Sequence, residues 1–449
     1  MRRLLHSAVA LALIAALGVA AAPIRKIEFT DTRLKNGLRV IIAEDHSAPD
    51  FSLVITYDVG SSNERKGRTG FAHLFEHMMF KGSEAVGQNE HPYLIFMNGG
   101  SMNGTTSKDR TLYYETLPAN QLDLGLFLEA DRMRSLTITK ENLDNLHNAV
   151  QEERRLGVDN QPYGKTFEAI DELAYENFAY EHSIIGSMDD LNTASVDDVA
   201  AFFKTYYAPN NAVISIVGDV DTKTTLAKVE KYFAGIPRQP APPPVDMTEP
   251  PQAAERRLTI EDPLARLSRV DMVFKIPPSS SPDSDALSVL ATILSSGRSS
   301  RFYESIVRQK QLSTGVFASS FETRGPGLFA ITATANPGKT LADLQTAIEG
   351  EIERVKTAPI EEWEIEKART SARRSFVNQL QSSLSRAINL GENALFYNDP
   401  NRINTRADRI ARVNGPDVQR VARQYLVTTG RTVVLTVPKP AAAAPKGGE

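Results

Sequence analysis

Cysteine is missing from all 449 residues. No disulfide can form and no thiolate can hold a metal, so any bound metal must rest on histidine, aspartate or glutamate. Charge of one sign is also scarce. Lys and Arg total 51 against 55 Asp and Glu, a net charge of -4. That gives no field to draw in nucleic acid or an acidic membrane surface. Beyond the N-terminus there is no long apolar run, so no membrane-spanning helix is expected in the rest of the chain. An apolar content of 41% and a charged content of 24% suit a soluble globular protein. The length exceeds one ordinary core and implies two or more domains.

The N-terminus reads "MRRLLHSAVALALIAALGVAAAPIRK". Two arginines precede an apolar run from Ala8 to Val19, and small residues follow at Ala20 to Ala22. This is the layout of a cleaved secretory signal over residues 1–22, which predicts a periplasmic protein without stable membrane insertion after cleavage. The alternative is a retained anchor, because Pro23 hinders cleavage directly after Ala22.

Strand and helix patterns alternate through the rest. "RLKNGLRVIIAED" (33–45) predicts a hairpin with a type I′ turn at Asn36-Gly37. "FSLVITYDVGSS" (51–62) reads as a strand, "GGSMNGTTSKDRTLYYETLP" (99–118) as a strand pair, and 121–136 and 140–156 as helices. The proline-dense "IPRQPAPPPVDMTEPPQ" (236–252) is extended and semi-rigid, is expected to lie outside any core, and marks a linker. After it come a strand at 266–278, a helical stretch from Ser284 to Arg308 and strands from Gly315 to Ala335. Asp198, Val199 and Tyr206 in "VDDVAAFFKTYYAPNNAVISIV" recur as Asp417, Val418 and Tyr425, each 219 positions later. The expected fold is therefore α+β, two duplicated α+β domains of sheet packed with helices. Their expected bounds are 23–236 and 258–438, with a linker at 237–257 and a disordered tail at 439–449.

The chemistry lies in "FAHLFEHMMFKGS" (71–83). On a helix His73 and His77 stack one turn apart on the same face, where two imidazoles can ligate one Zn²⁺ at about 2.0–2.1 Å. Glu76 projects beside them and can take a proton from water held by the metal. The plain alternative is a pair of hydrogen-bonded core histidines, but H-x-x-E-H is the inverted zinc-protease spacing. A catalytic zinc needs a third protein ligand and an open position. In "NLHNAVQEERRLGVDNQPYG" (145–164), Leu146, Ala149, Val150 and Glu153 fall on one helical stripe, which predicts Glu153 on the inward face and Glu152 toward solvent. His147 is a weaker rival and is expected to be exposed. His91 and His182 stand among polar neighbours in sequence and are poor ligand candidates.

With "HLFEH" at 73–77, a glutamate 76 positions after His77, "GGSMNGTTSKDRTLYYETLP", "DNQPYG" and "YAPNNAVISIVGDV", the first half resembles the pitrilysin/insulinase zinc peptidases, in particular their mitochondrial-processing-peptidase-like members. The second half resembles them more loosely, through "SSGRSSRFYESIVRQK" (295–310). The resemblance implies a zinc metalloendopeptidase, with His73, His77 and Glu153 on one Zn²⁺ and Glu76 as general base. It implies substrate binding by edge pairing at Asn103 and Gly104, with unstructured peptides enclosed between two domain pairs. This chain has length for one pair, so a homologous subunit lacking the zinc motif, or a second copy, is the expected partner. Two features depart from the family pattern. Leu146 stands where many members carry an acid, and Arg308 keeps the substrate-binding arginine that in many members reaches the active site of the facing half but lacks the tyrosine seven residues on, which here is Gly315. The competing reading is a non-catalytic scaffold subunit of a heterodimeric peptidase.

Overall fold

"RLKNGLRV" folds the chain back on itself and opens the first sheet. In the computed structural model, which describes residues 25–439, β1 (Thr30–Arg33) runs antiparallel to β2 (Arg39–Glu44), with Arg33 opposite Arg39. The hairpin is present, but its turn is not the two-residue type I′ form. Residues 34–38 make a wider turn in which Gly37 alone has a positive φ, 97°. Asn36 is drawn inward instead, its amide donating to the carbonyls of Phe233 at 2.8 Å and Ile236 at 3.0 Å.

The first half continues through β3 (Asp50–Tyr57), α1 (Phe71–Met78), α2 (Glu90–Met97), β4 (Ser101–Thr106) and β5 (Thr111–Pro118). It ends with α3 (Leu122–Arg134), α4 (Lys140–Arg154), α5 (Gly164–Ala174), α6 (Val196–Tyr206), β6 (Ala212–Gly218) and α7 (Thr222–Phe233). The second half holds β7 (Arg256–Asp262), β8 (Arg269–Ile276), α8 (Ser284–Ser295), β9 (Ser313–Phe321) and β10 (Gly327–Ala335). Then follow α9 (Leu341–Thr357), α10 (Glu362–Gln379), α11 (Ser383–Tyr397), α12 (Arg402–Arg412), α13 (Gly415–Tyr425) and β11 (Arg431–Pro438).

The two sheets share one topology. Their orders are β1-β2-β6-β3-β5-β4 and β7-β11-β8-β10-β9. Apart from the extra β1, each has a parallel pair at one end, β2 with β6 and β7 with β11, followed by antiparallel neighbours. The matched segments "VDDVAAFFKTYY" and "GPDVQRVARQYL" form α6 and α13. Each helix is started by a capping box, Ser195 with Asp198 and Asn414 with Asp417. The fold is the duplicated α+β arrangement.

Each sheet buries one face against helices of its own half and the other against a helix of the opposite half. Phe51, Leu53, Ile55 and Leu117 of the first sheet pack with α1, α3, α4 and α6. Its other face, with Ile41, Val54 and Val217, meets Ala387, Leu390 and Ala394 of α11. Conversely, Ile170 and Ala174 of α5 cover Val273, Leu328 and Val434 of the second sheet. This explains why β6, "AVISIVG", is buried at every position, as a strand covered on both faces must be.

Two segments differ from expectation. The helical stretch 284–308 breaks after Ser295, where Gly297 takes φ 74° within "SSGRSS", and resumes as a π-helical turn at Tyr303–Gln309. The proline-rich segment has neither helix nor strand over 237–255, yet it packs partly into the structure. Met247 joins the apolar cluster around Tyr180, and Glu249 accepts the N–H groups of Glu176 and Asn177 at 3.0 Å each. The residues read as a signal, and the tail from 440 on, lie outside the described residues. Among the described residues no helix is long and apolar enough to cross a membrane.

Candidate metal centre and active site

The helix α1 begins at a glycine. Gly70 has φ 85°, a left-handed conformation favouring glycine, and offers no side-chain cap. The buried carboxylate of Glu64 takes that role, accepting the N–H groups of Gly70 at 2.9 Å and Ala72 at 2.8 Å. His182 Nε2 stands 2.9 Å from the same carboxylate. Burial pushes the Glu64 pKa up, against the pull of His182 and the two amides. Phe71, Leu74, Phe75 and Met78 anchor α1 in the core, and Phe75 stacks on Phe202 and Tyr207. The opposite face turns His73 and His77 toward a cleft.

Helix α4 supplies the acid. Thr139 caps it by accepting the N–H of Asn142, and Leu143, Leu146 and Val150 are the buried stripe. The next turn of that stripe is Glu153, so its helical phase is as expected. Its burial is not: Ala149 is exposed, and the Glu153 side chain is 48% exposed because α4 leaves the core at this point. Directly after Glu153 and Arg154 the helix widens into a π-helical turn, Arg155–Asp159, a distortion that recurs at functional sites. Glu152 points to solvent and pairs with Arg155. His147, expected to be exposed, is half-buried, and burial depresses its pKa.

His73, His77 and Glu153 converge. His77 Nε2 lies 3.3 Å from His73 Nε2 and 3.1 Å from Glu153 Oε2, and His73 Nε2 lies 3.4 Å from Glu153 Oε1. Ligand atoms at about 2.0–2.1 Å around a tetrahedral ion stand roughly 3.3 Å apart, so the two imidazole nitrogens, each with one oxygen of the Glu153 carboxylate beside it, have the spacing of a Zn²⁺ site. Burial, reinforced by the neighbouring His73, lowers the His77 pKa and favours the neutral, metal-binding imidazole. The Glu153 carboxyl is lowered too, chiefly by its hydrogen bond with His73.

Glu76 sits beside this trio and is held from the sheet. Thr106 Oγ1 on β4 donates to Glu76 Oε2 at 2.7 Å. A Cβ at Gly104 would lie 2.9 Å from Glu76 Cγ, so glycine here lets the strand close onto the base. Sequence reasoning missed Thr106, which lies 30 residues from Glu76 and carries no signal of its own. Among the described residues β4 bonds only to β5, leaving its outer edge open, and Ser101, Asn103 and Thr105 are exposed along it. The Gly104 N–H is taken by Asn103 Oδ1 at 2.8 Å. His73, Glu76, Thr105, Thr106, Glu153 and Ile184 line a cleft of about 460 Å³. Arg308 is not brought to it. Its side chain is 62% exposed on the second half and pairs with Glu304.

His91 and His182 were expected in polar surroundings, and both are packed instead. His91 is buried, its Nε2 2.6 Å from Glu115 Oε1, beside Glu129. This group of three donors also resembles a metal site, but the guanidinium of Arg132, bonded to Glu129 at 2.9 Å, already provides the cation.

Comparison with known proteins shows the family and the fold. The model described as Insulinase (Peptidase family M16) matches residues 39–188, and that described as Peptidase M16 inactive domain matches residues 193–372. The chain belongs to the M16 peptidase family. This M16 chain is 29% identical to the zinc protease PqqE of Helicobacter pylori, over 90% of its own length and 92% of that protein. A crystal structure of a protease from Helicobacter pylori superposes with a TM-score of 0.88 at 29% identity, covering 92% of this chain and all of that one. The periplasmic protease PqqL of Escherichia coli shares the fold, with a TM-score of 0.77 at 19% identity. The M16 chain covers 48% of its length.

Proposed function

We propose that this chain is a zinc-dependent metalloendopeptidase that hydrolyses unstructured peptides. The observation that carries the reading is the convergence of two imidazole nitrogens and the Glu153 carboxylate at 3.1–3.4 Å from one another, with Glu76 beside them and an open strand edge alongside. His73, His77 and Glu153 would hold the ion. Zinc, when bound, supplies a Lewis acid that activates water near neutral pH and polarises a carbonyl. Glu76, oriented by Thr106, accepts the proton of the attacking water and delivers it to the leaving amine. The free edge of β4, around Asn103 and Gly104, holds the substrate as an added strand, so that affinity comes from backbone bonds with little sequence demand. The catalytic machinery then lies within 23–236, and 258–438 forms the non-catalytic half. Export to the periplasm fits the N-terminal pattern. A second, homologous subunit, or a second copy, would complete the chamber.

The test is cleavage of an internally quenched, unstructured peptide by the chain with its partner, before and after chelation. Activity should vanish with chelator and return with zinc. Zinc-replete protein that binds the peptide but never cleaves it would favour the scaffold reading.

A further inference from the structure

The half without the zinc motif reaches the tip of β4 directly at Asp109 and also through the buried Tyr180 of the first half. β4 is an edge strand, bonded on one side only, and its far end runs into the hairpin tip Ser107–Arg110. That tip is held from three directions. The N–H groups of Ser61 and Ser62 donate to the carbonyls of Ser107 at 3.2 Å and Lys108 at 2.8 Å. The fully buried Tyr180 donates its hydroxyl to Asp109 Oδ1 at 2.7 Å, and Lys108 Nζ donates to the Tyr180 carbonyl at 2.7 Å. From the second half, the turn between β9 and β10 supplies two more bonds. The Arg324 N–H donates to Asp109 Oδ2 at 2.8 Å, and the Gly325 N–H donates to the Tyr180 hydroxyl at 2.8 Å. The fit at that turn is close, since a Cβ on Gly325 would come within 2.5 Å of the Tyr180 ring. The Arg324 side chain adds an ion pair to Asp58, at the end of β3.

The segment carrying Tyr180 also reaches the zinc helix. His182, two residues on, faces Glu64, the carboxylate that caps α1. One segment therefore meets the cap of the helix bearing His73, Glu76 and His77 and the tip of the strand bearing Thr106.

The geometry points to Tyr180, Asp109 and the Arg324–Gly325 turn as a cross-brace by which the second half positions β4, and through Thr106 the base Glu76. These are positioning residues. None lies among the residues named around the cleft. An edge strand is hydrogen-bonded to a single neighbour, so fixing its tip, together with its packing on α1, sets the register in which a peptide can pair. A misplacement of about 1 Å at a reacting group can cost on the order of 10²-fold in rate. The inference rests on the peptidase reading for its kinetic arm only.

The experiment compares Tyr180→Phe and Asp109→Asn with Tyr232→Phe in zinc-loaded chain together with its partner. Tyr232 makes a comparable hydroxyl bond to Asp123, at 3.0 Å, away from the cleft, and serves as control. Hydrogen–deuterium exchange is read at the amides of 101–106, with zinc content, kcat and KM measured on the same samples. The brace predicts exchange in β4 faster by about tenfold or more, unchanged zinc, and kcat/KM lower by about 10–100-fold, with KM raised for extended peptides. A purely structural role would lower the melting temperature while leaving kcat and KM of the folded fraction at wild-type values. The control should match wild type throughout. Should Tyr180→Phe fail to fold, Asp109→Asn carries the test alone. Exchange at 101–106 and kcat/KM both within about twofold of wild type would overturn the brace. If wild type itself cleaves nothing, the peptidase reading fails, and the exchange arm still decides the brace.

Discussion

His73, Glu76 and His77 were legible because a helical period converts H-x-x-E-H into one face, whatever the rest of the chain does. Glu153 was legible by phase alone, as the next turn after Leu143, Leu146 and Val150. Its exposure was not, because α4 leaves the core at a π-helical turn that no residue pattern announced. Thr106 and the close approach of Gly104 come from a strand packed across α1, which the order of residues does not encode. Four substitutions test these roles. Glu153→Gln should lose zinc and Glu152→Gln should keep it, measured by metal analysis after dialysis; the reverse result would move the third ligand to the neighbour. Glu76→Gln should keep zinc and lose at least ~10²-fold in turnover, because the proton acceptor is gone. Gly104→Ala places a methyl 2.9 Å from Glu76 Cγ, so the base must shift. About tenfold or more in kcat with zinc retained is the expected cost, and unchanged kcat would show that the base tolerates the displacement.

At the scale of elements, strands rich in Val and Ile and the glycine-bounded helix followed from pattern, whereas a buried polar cluster between α2, β5 and α3 did not. His91 lies in "NEHPYL", among polar neighbours, and its burial is created by Glu115 of β5 and by Glu129 and Arg132 of α3. Phe80 and Tyr113 close over the Arg132 guanidinium at 5.0 and 4.6 Å, and Tyr113 donates its hydroxyl to the carbonyl of Phe75 in α1 at 3.0 Å. The cluster thus underpins α1. Burial lifts Glu115 and Glu129 to about 7 and drops His91 to about 3. Both carboxyls therefore keep their protons up to about pH 7, and His91 stays neutral down to about pH 3. In the unfolded chain carboxyls titrate near 4.3 and histidine near 6.5. Between about pH 4.3 and 6.5 the folded cluster therefore binds more protons than the unfolded chain, whose histidine alone is protonated, so stability falls as pH rises, and it falls more steeply from about 6.5 through 7. Below about pH 4.3 the unfolded state binds more protons, and stability falls again. This cluster's contribution to stability should be greatest at roughly pH 4–5. Denaturation midpoints measured across pH should show the alkaline limb in wild type and lose most of it in Glu115→Gln. An equally steep limb in that variant would assign it to other groups.

At the scale of the molecule, the 219-residue repeat announced two similar units, but not that each would cover the back of the other's sheet with one helix. That exchange depends on long-range apolar contacts with no periodic signature. What remains uncovered is the front of the site. The β4 edge is unpaired, Glu153 is 48% exposed, and Leu156 on the adjoining turn is 56% exposed. A peptide on that edge would face solvent, in which electrostatic stabilisation of an oxyanion is weak. Oxyanion donors are commonly worth 10²–10³-fold, and Arg308 lies on the second half, away from this chain's own cleft. The single chain is therefore expected to bind zinc and cleave poorly, with activity rising on assembly. Two assemblies give different outcomes on mixing. If two copies pair and Arg308 serves the facing site, Arg308→Ala and Glu76→Gln should each be nearly inactive. Mixed, they should recover up to about a quarter of wild-type activity, since half the dimers are then mixed and each of those keeps one intact site. If the partner is a different chain without the zinc motif, mixing restores nothing and only that chain raises activity. Light scattering and peptide cleavage on one sample settle the matter, and full activity from a strictly monomeric preparation would refute both.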